Sequence, residues 1–120
     1  FSNLGAYGDF DPAVAKDGSF LIFSSPRPPS LTHRSDLFLV RHTHDGWSQP
    51  EDLRSLLSDE VFGVEARLSP DETILYFTNS RRLPTDPPES PEHPYVQHTW
   101  QVDISALNSS ARHKNAEIRQ

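Results

Sequence analysis

The sequence predicts an all-β chain of two four-stranded antiparallel sheets, and two observations carry that prediction. The first is an internal echo. Asp11-Pro12-Ala13-Val14-Ala15-Lys16-Asp17-Gly18-Ser19-Phe20-Leu21-Ile22-Phe23 returns 54 positions later as Glu65-Ala66-Arg67-Leu68-Ser69-Pro70-Asp71-Glu72-Thr73-Ile74-Leu75-Tyr76-Phe77. The second is the grain of each copy: short runs of β-formers divided by Gly, Pro and Asp turns. A period of roughly 40 to 50 residues holding several short strands is the mark of a β-propeller blade. Two blades would leave large sheet faces bare, since repeat architectures generally need about three or more units. We therefore expect further blades as partners, either upstream in a longer chain or from copies closing a ring. A start at Phe1, without Met and at the head of a repeat, fits the former.

In the first unit, residues 1–54, a linker of small residues leads to a strand over Phe10–Ala15. Lys16-Asp17-Gly18-Ser19 is a hairpin turn in which Gly supplies a positive φ. Phe20–Ser24 follows, apolar on both faces as an inner strand between neighbouring sheets should be. Pro26, Pro28 and Pro29 cannot donate ladder hydrogen bonds, so Ser25–Ser35 reads as an exposed loop. Asp36–His42 alternates again, His44-Asp45-Gly46 turns, and Trp47–Leu53 is the outer strand, where Pro50 is tolerated at an edge.

The second unit, residues 55–108, opens on a linker over Ser55–Gly63 and predicts strands over Val64–Leu68, Thr73–Thr78 and Tyr95–Ile104. Between the last two lies Leu83–Pro94, with five prolines in twelve residues, read as a stiff, proline-rich excursion. No convincing fourth strand follows. Residues 109–120 are a polar tail, with Leu107–Ile118 open to either a frayed helix or a disordered terminus.

Ser69-Pro70-Asp71-Glu72-Thr73-Ile74-Leu75-Tyr76-Phe77-Thr78-Asn79-Ser80-Arg81 resembles the core of the WD40-like repeat of TolB-type propellers, Glu72 replacing the usual Gly. The first copy keeps Asp17-Gly18 but has Ala15-Lys16 in place of Ser-Pro. Its Ser35-Asp36-Leu37-Phe38 and Asp45-Gly46-Trp47-Ser48-Gln49-Pro50 are similar to the variant that continues Asp-Leu-Tyr and Gly-Trp-Ser-x-Pro. The resemblance covers residues 9 to 104. It implies a TolB-like ring, commonly of six blades, with a binding surface at one mouth and a periplasmic or secreted location. It implies no single activity: such propellers include protein-docking modules, periplasmic scaffolds, peptidase accessory domains and a few polysaccharide lyases.

A formal charge of −6 and a pI near 5.4 argue against a nucleic-acid partner. The absence of Cys excludes disulfides, thiolate metal sites and cysteine nucleophiles. No stretch approaches the ~18 apolar residues of a membrane span. No nucleophile elbow, zinc-protease helix or phosphate loop appears, so no cofactor is implied and catalytic residues are not assigned.

Candidate binding residues are Arg27, His33, Arg34, Arg81 and Arg82. Arg27 and Arg81 occupy equivalent places after the second strand, and a ring repeating them would line one mouth with guanidinium forks suited to carboxylates. The plainer reading, an inter-blade salt bridge to Asp36, Asp11 or Glu65, is favoured, because recurrence in every blade is what a structural role produces. His33 lies with Arg34 on a loop at the rim, where propellers carry function. His42 and His44 sit at alternate strand positions and are the weak metal candidates, with no third ligand identifiable. The reading that follows is a non-enzymatic module contacting a protein, peptide or glycan through its rim loops. The alternative is a propeller domain of a carbohydrate-active enzyme, lyase or hydrolase, or a peptidase accessory domain.

Overall fold

The computed structural model describes residues 8–28, 35–94 and 96–107. It is built of antiparallel β-sheet with a single one-turn helix among the named elements. Sheet one contains β1 (Phe10–Val14), β2 (Phe20–Ser25) and β3 (Asp36–Thr43), extended by β4 (Gly46–Trp47) and β5 (Glu51–Asp52), both pairing with β3. Helix α1 (Leu53–Leu56) leads to sheet two, which is β6 (Val64–Leu68), β7 (Ile74–Asn79) and β8 (His98–Asp103), in that order. No helix among the described residues is long and apolar enough to cross a membrane.

The sequence echo is also an echo of geometry. In β1 the register slips between Phe10 and Ala13, and in β6 between Val64 and Arg67. At each bulge an acidic residue takes a positive φ, 53° at Asp11 and 59° at Glu65. The following turns match bond for bond. Gly18 N donates to Ala15 O and Ser19 N to the Asp17 carboxylate; 54 residues on, Glu72 N donates to Ser69 O and Thr73 N to the Asp71 carboxylate. Glu72 adopts φ 62° where Gly18 has 76°, a conformation that costs any side-chain-bearing residue about 1 kcal/mol or more.

Register also fixes which faces meet. Ile22 lies opposite Leu39, and Ser24 opposite Leu37; Phe23 lies opposite Phe38, and Leu21 opposite Val40. The first set, with Phe20, forms one core with Leu75 and Phe77 of sheet two, against which Trp100 and Val102 also pack. The second set forms a separate cluster on the other side of sheet one. Leu75, Phe77, Trp100 and Val102 correspond to Leu21, Phe23, Phe38 and Val40, so one sheet's front rests on the other's back. Such a head-to-tail contact is heterologous and does not close on itself. Burying a side chain such as Leu75, fully inside this core, contributes roughly 2 kcal/mol.

Where the two sheets approach, equivalent residues bond to one another. Glu65 N donates to the Asp11 carboxylate at 3.0 Å, and Lys16 Nζ to Pro70 O at 2.6 Å, both across 54 residues. Lys16 N also donates to Glu72 Oε2 at 2.7 Å, which gives the strained Glu72 a partner that Gly would lack.

Four expectations need correcting. In place of two four-stranded sheets, the described residues form one sheet of five strands, two of them only two residues long, and one of three. The outer strand expected over Trp47–Leu53 is two short pieces separated by residues 48–50, and Asp52 ends it by capping α1 through Arg54 N at 2.8 Å. The linker expected over Ser55–Gly63 is structural: Val61 is in the core, and Gly63, at φ 135°, lies so close to Thr78 O that no Cβ fits. The strand expected over Tyr95–Ile104 begins at His98 and ends at Asp103. The expectations for residues 108–120 fall outside the described residues.

Candidate functional site

Strands β2 and β7 both end, and β3 and β8 both begin, at one end of the sheets, here called the rim. Among the described residues most of the ion pairs gather there. Arg27 Nη2 bonds Asp9 Oδ2 at 2.6 Å, with the two side chains 7% and 9% exposed. Its Nε donates to Ser25 Oγ, and its guanidinium lies over Phe23 and Phe38 at 5.3 and 5.7 Å. Arg81 repeats this arrangement. Its Nη1 bonds Glu60 Oε2 at 2.7 Å and its guanidinium lies 4.2 Å over Trp100, the counterpart of Phe38. Both placements are within the range of favourable cation–π attraction. The difference is exposure: the Arg81 and Glu60 side chains are 33% and 69% exposed.

The acids these arginines meet were not foreseen. Asp9 and Glu60 take the places the sequence suggested for Asp36, Asp11 or Glu65. Asp11 is instead engaged by Glu65 N, and Asp36 by Arg54 Nη1 at 3.5 Å. Arg54, unremarked in the sequence, also donates through Nε to Asp59 O at 3.2 Å, tying α1 to the connection that follows.

Asp36 and Asp52 are both buried. Burial pushes the Asp52 carboxyl up to about 7, reinforced by a hydrogen bond with Asp36. Nothing in the local sequence flags it, because the strand register alone brings Asp52 alongside β3, opposite Phe38.

The second rim carries the proline-rich excursion. Phe23 pairs with a residue 15 positions on and Phe77 with one 23 positions on, so the second connection is eight residues longer. Arg82 spans its two legs, donating to Pro87 O and to His93 O. Asp86 anchors its base, accepting from Leu83 N at 2.6 Å and bonding His98 Nε2 at 2.8 Å. The Leu83 amide and His98 hold the Asp86 carboxyl below the usual carboxylate range. Trp100 stands edge-on to His98, and its indole Nε1 is buried with no hydrogen-bond partner among the described residues.

Of the other candidates, His33 and Arg34 lie outside the described residues. His42 and His44 are at the opposite end of β3 from the rim. Eight residues of strand separate the ends of β3, roughly 23 Å. His42 packs at a tilt against Trp47 with ring centroids 4.8 Å apart, and His44 is almost fully exposed beside Asp45. Among the described residues no three His, Cys, Asp or Glu side chains come together in a way that could hold a metal ion. Chemically, the rim offers cations neutralised from within, and carboxylates and proline rings turned outward. Comparison with family models, with curated proteins and with solved structures finds no match.

Proposed function

We propose that this chain is a non-enzymatic binding and scaffold module of a TolB-like, WD40-like β-propeller, periplasmic or secreted, that contacts a protein, peptide or glycan through its rim loops. The observation that carries the reading is the head-to-tail stacking of equivalent faces, joined by hydrogen bonds between residues 54 apart. A contact of this kind repeats rather than closes, and radial repetition is how propellers manage their sheet edges. The outer face of sheet two supports it further. Ile74 and Tyr76 are only half-buried there, and the exposed Glu65 carboxylate stands where Asp11 stands in the interface that is filled.

Loops 26–35 and 83–94 leave the same rim, which makes them the surface for a ligand. Arg27 serves structure in this reading, while Arg81 and Arg82 frame the second loop. The enzyme alternative gathers no constellation among the described residues, where no three His, Cys, Asp or Glu side chains come together to hold a metal.

Electron microscopy of the native full-length protein tests the architecture. Particles with a ring of radially arranged sheets are expected, and a closed two-sheet body would refute it. Metal titration tests the rival: zinc or manganese binding that is lost in His42→Ala and His44→Ala would favour the metalloenzyme.

A further inference from the structure

We propose that residues 82–94 form a docking finger whose tip, from Pro88 to Pro94, seats in a partner protein's groove lined by aromatic rings and edged by Lys or Arg. This rests on the rim-contact reading above and names the partner's chemistry.

The finger is held in one shape by polar clamps. At its tip Ser90 N donates to His93 O at 3.1 Å and His93 N to Ser90 O at 3.0 Å, closing a tight turn with Pro91 and Glu92 at the corner. Ser90 Oγ accepts from the same His93 amide. The Arg82 guanidinium cross-links the legs, and Asp86 with His98 and Leu83 N fixes the root. A segment that buries no apolar face gains little for the fold by such ordering. A segment that must bind gains much, because its ordering entropy is lost before the partner arrives.

The chemistry of the outward surface selects the partner. Pro87, Pro88, Pro91 and Pro94 are exposed, as are Glu89 and Glu92, while the only Arg within the finger, Arg82, turns inward onto carbonyls. Flat proline rings pack on aromatic faces, and the two exposed carboxylates, of which Glu92 takes only a 3.4 Å bond from Ser90 Oγ, call for cations beside them. Prolines at 88, 91 and 94 have the three-residue spacing of a polyproline II ligand, but the turn at Ser90–His93 bends that line. The finger is therefore recognised as a turn and not as an extended strand.

The test places a photo-cross-linking residue, p-benzoylphenylalanine, at Pro88 or at Pro28 of the native protein and irradiates extracts of the cells that make it. The proposal expects an adduct at Pro88 whose partner peptide contains aromatic residues with Lys or Arg. A cyclised peptide of residues 82–94 should compete it away. Its yield should fall about tenfold in E89K/E92K, and comparably on raising salt from about 50 to about 500 mM. An adduct at Pro88 indifferent to the charge reversal and to the peptide overturns the finger. An adduct at Pro28 alone overturns the finger and leaves the rim reading standing. No specific adduct at either position overturns both.

Discussion

Replacing Asp52 by Asn should make the chain less sensitive to alkaline pH. Asp52 has its carboxyl pushed up to about 7 from an ordinary value of 3.8, first by burial and then by the neighbouring Asp36. An acid whose folded value is raised keeps its full contribution below the unfolded value and loses it as pH climbs through the folded one. Between pH 5 and pH 8.5 the unfolded carboxyl is already ionised while the folded one must give up its proton. Two pH units at 1.36 kcal/mol each make that loss about 2.7 kcal/mol, an upper figure because water and the Arg54 guanidinium can relax around the charge. Asn has no proton to lose, keeps a side-chain oxygen for the Arg54 amide at the helix start, and ranks with Asp as an N-cap. Its amide can also donate to the neighbouring Asp36. Urea unfolding followed by Trp fluorescence at pH 5 and pH 8.5 gives both differences, with Asp52→Ala as control: it too has no proton to lose and should show the same pH-dependent gain, offset at both pH values by about 1 kcal/mol for the lost cap. We expect Asp52→Asn to gain about 2 kcal/mol more at pH 8.5 than at pH 5. An advantage that does not change with pH, or a variant weaker at pH 8.5, would refute the raised Asp52 value.

Gly63→Ala should cost about 3 kcal/mol or more in the same assay, since its positive φ and contact with Thr78 O leave no room for a Cβ. Glu72→Gly should stay within about 0.5 kcal/mol of the parent, relief of strain offsetting the lost bond from Lys16 N. Glu72→Ala loses the bond and keeps the strain, and should be weaker by about 1 kcal/mol. Arg27→Ala, which strands Asp9 in a buried place, should cost about 3 kcal/mol, against about 1 kcal/mol or less for Arg81→Ala. Asp86, with its folded value lowered, stabilises the finger's root above the ordinary carboxylate value, and that stabilisation is lost as pH falls through the lower, folded one. The protection of Leu83 N against hydrogen exchange, taken relative to the intrinsic rate at each pH, should therefore fall in acid in the parent, and be already low and insensitive to this titration in Asp86→Ala.

What could be read from the sequence follows locality. The hairpin turns at Asp17-Gly18 and Asp71-Glu72, and the strands beside them, are written in adjacent residues, and they fold as read. The outer strand was harder. Pro50 marked an edge, but Asp52 signalled a helix start only in retrospect, its cap being a bond to Arg54 N two residues away. The partners of Arg27 and Arg81 lie 18 and 21 residues upstream on connections, where no periodic pattern fixes position. The Asp86–His98 pair depended on an eight-residue lengthening whose shape no pattern in the sequence specifies. Short turns are legible because chain geometry enforces them, whereas rim pairs are settled by tertiary packing.

The two rims carry the same device in two states, and the difference bears on where a ligand can act. Arg27 cannot be recruited by an incoming carboxylate without leaving Asp9 charged and buried, a loss of about 3 to 5 kcal/mol that one surface contact does not offset. Arg81 can exchange Glu60 for an external carboxylate at a cost of about 1 kcal/mol or less, because its partner returns to water. The next residue, Arg82, is committed to the finger's own carbonyls, so a ligand that captured it would loosen the finger it was meant to meet. A recognition surface built on the second rim can thus use Arg81 as a direct contact and Arg82 only as scaffolding. The first rim, whose geometry is nearly the same, is closed by burial alone.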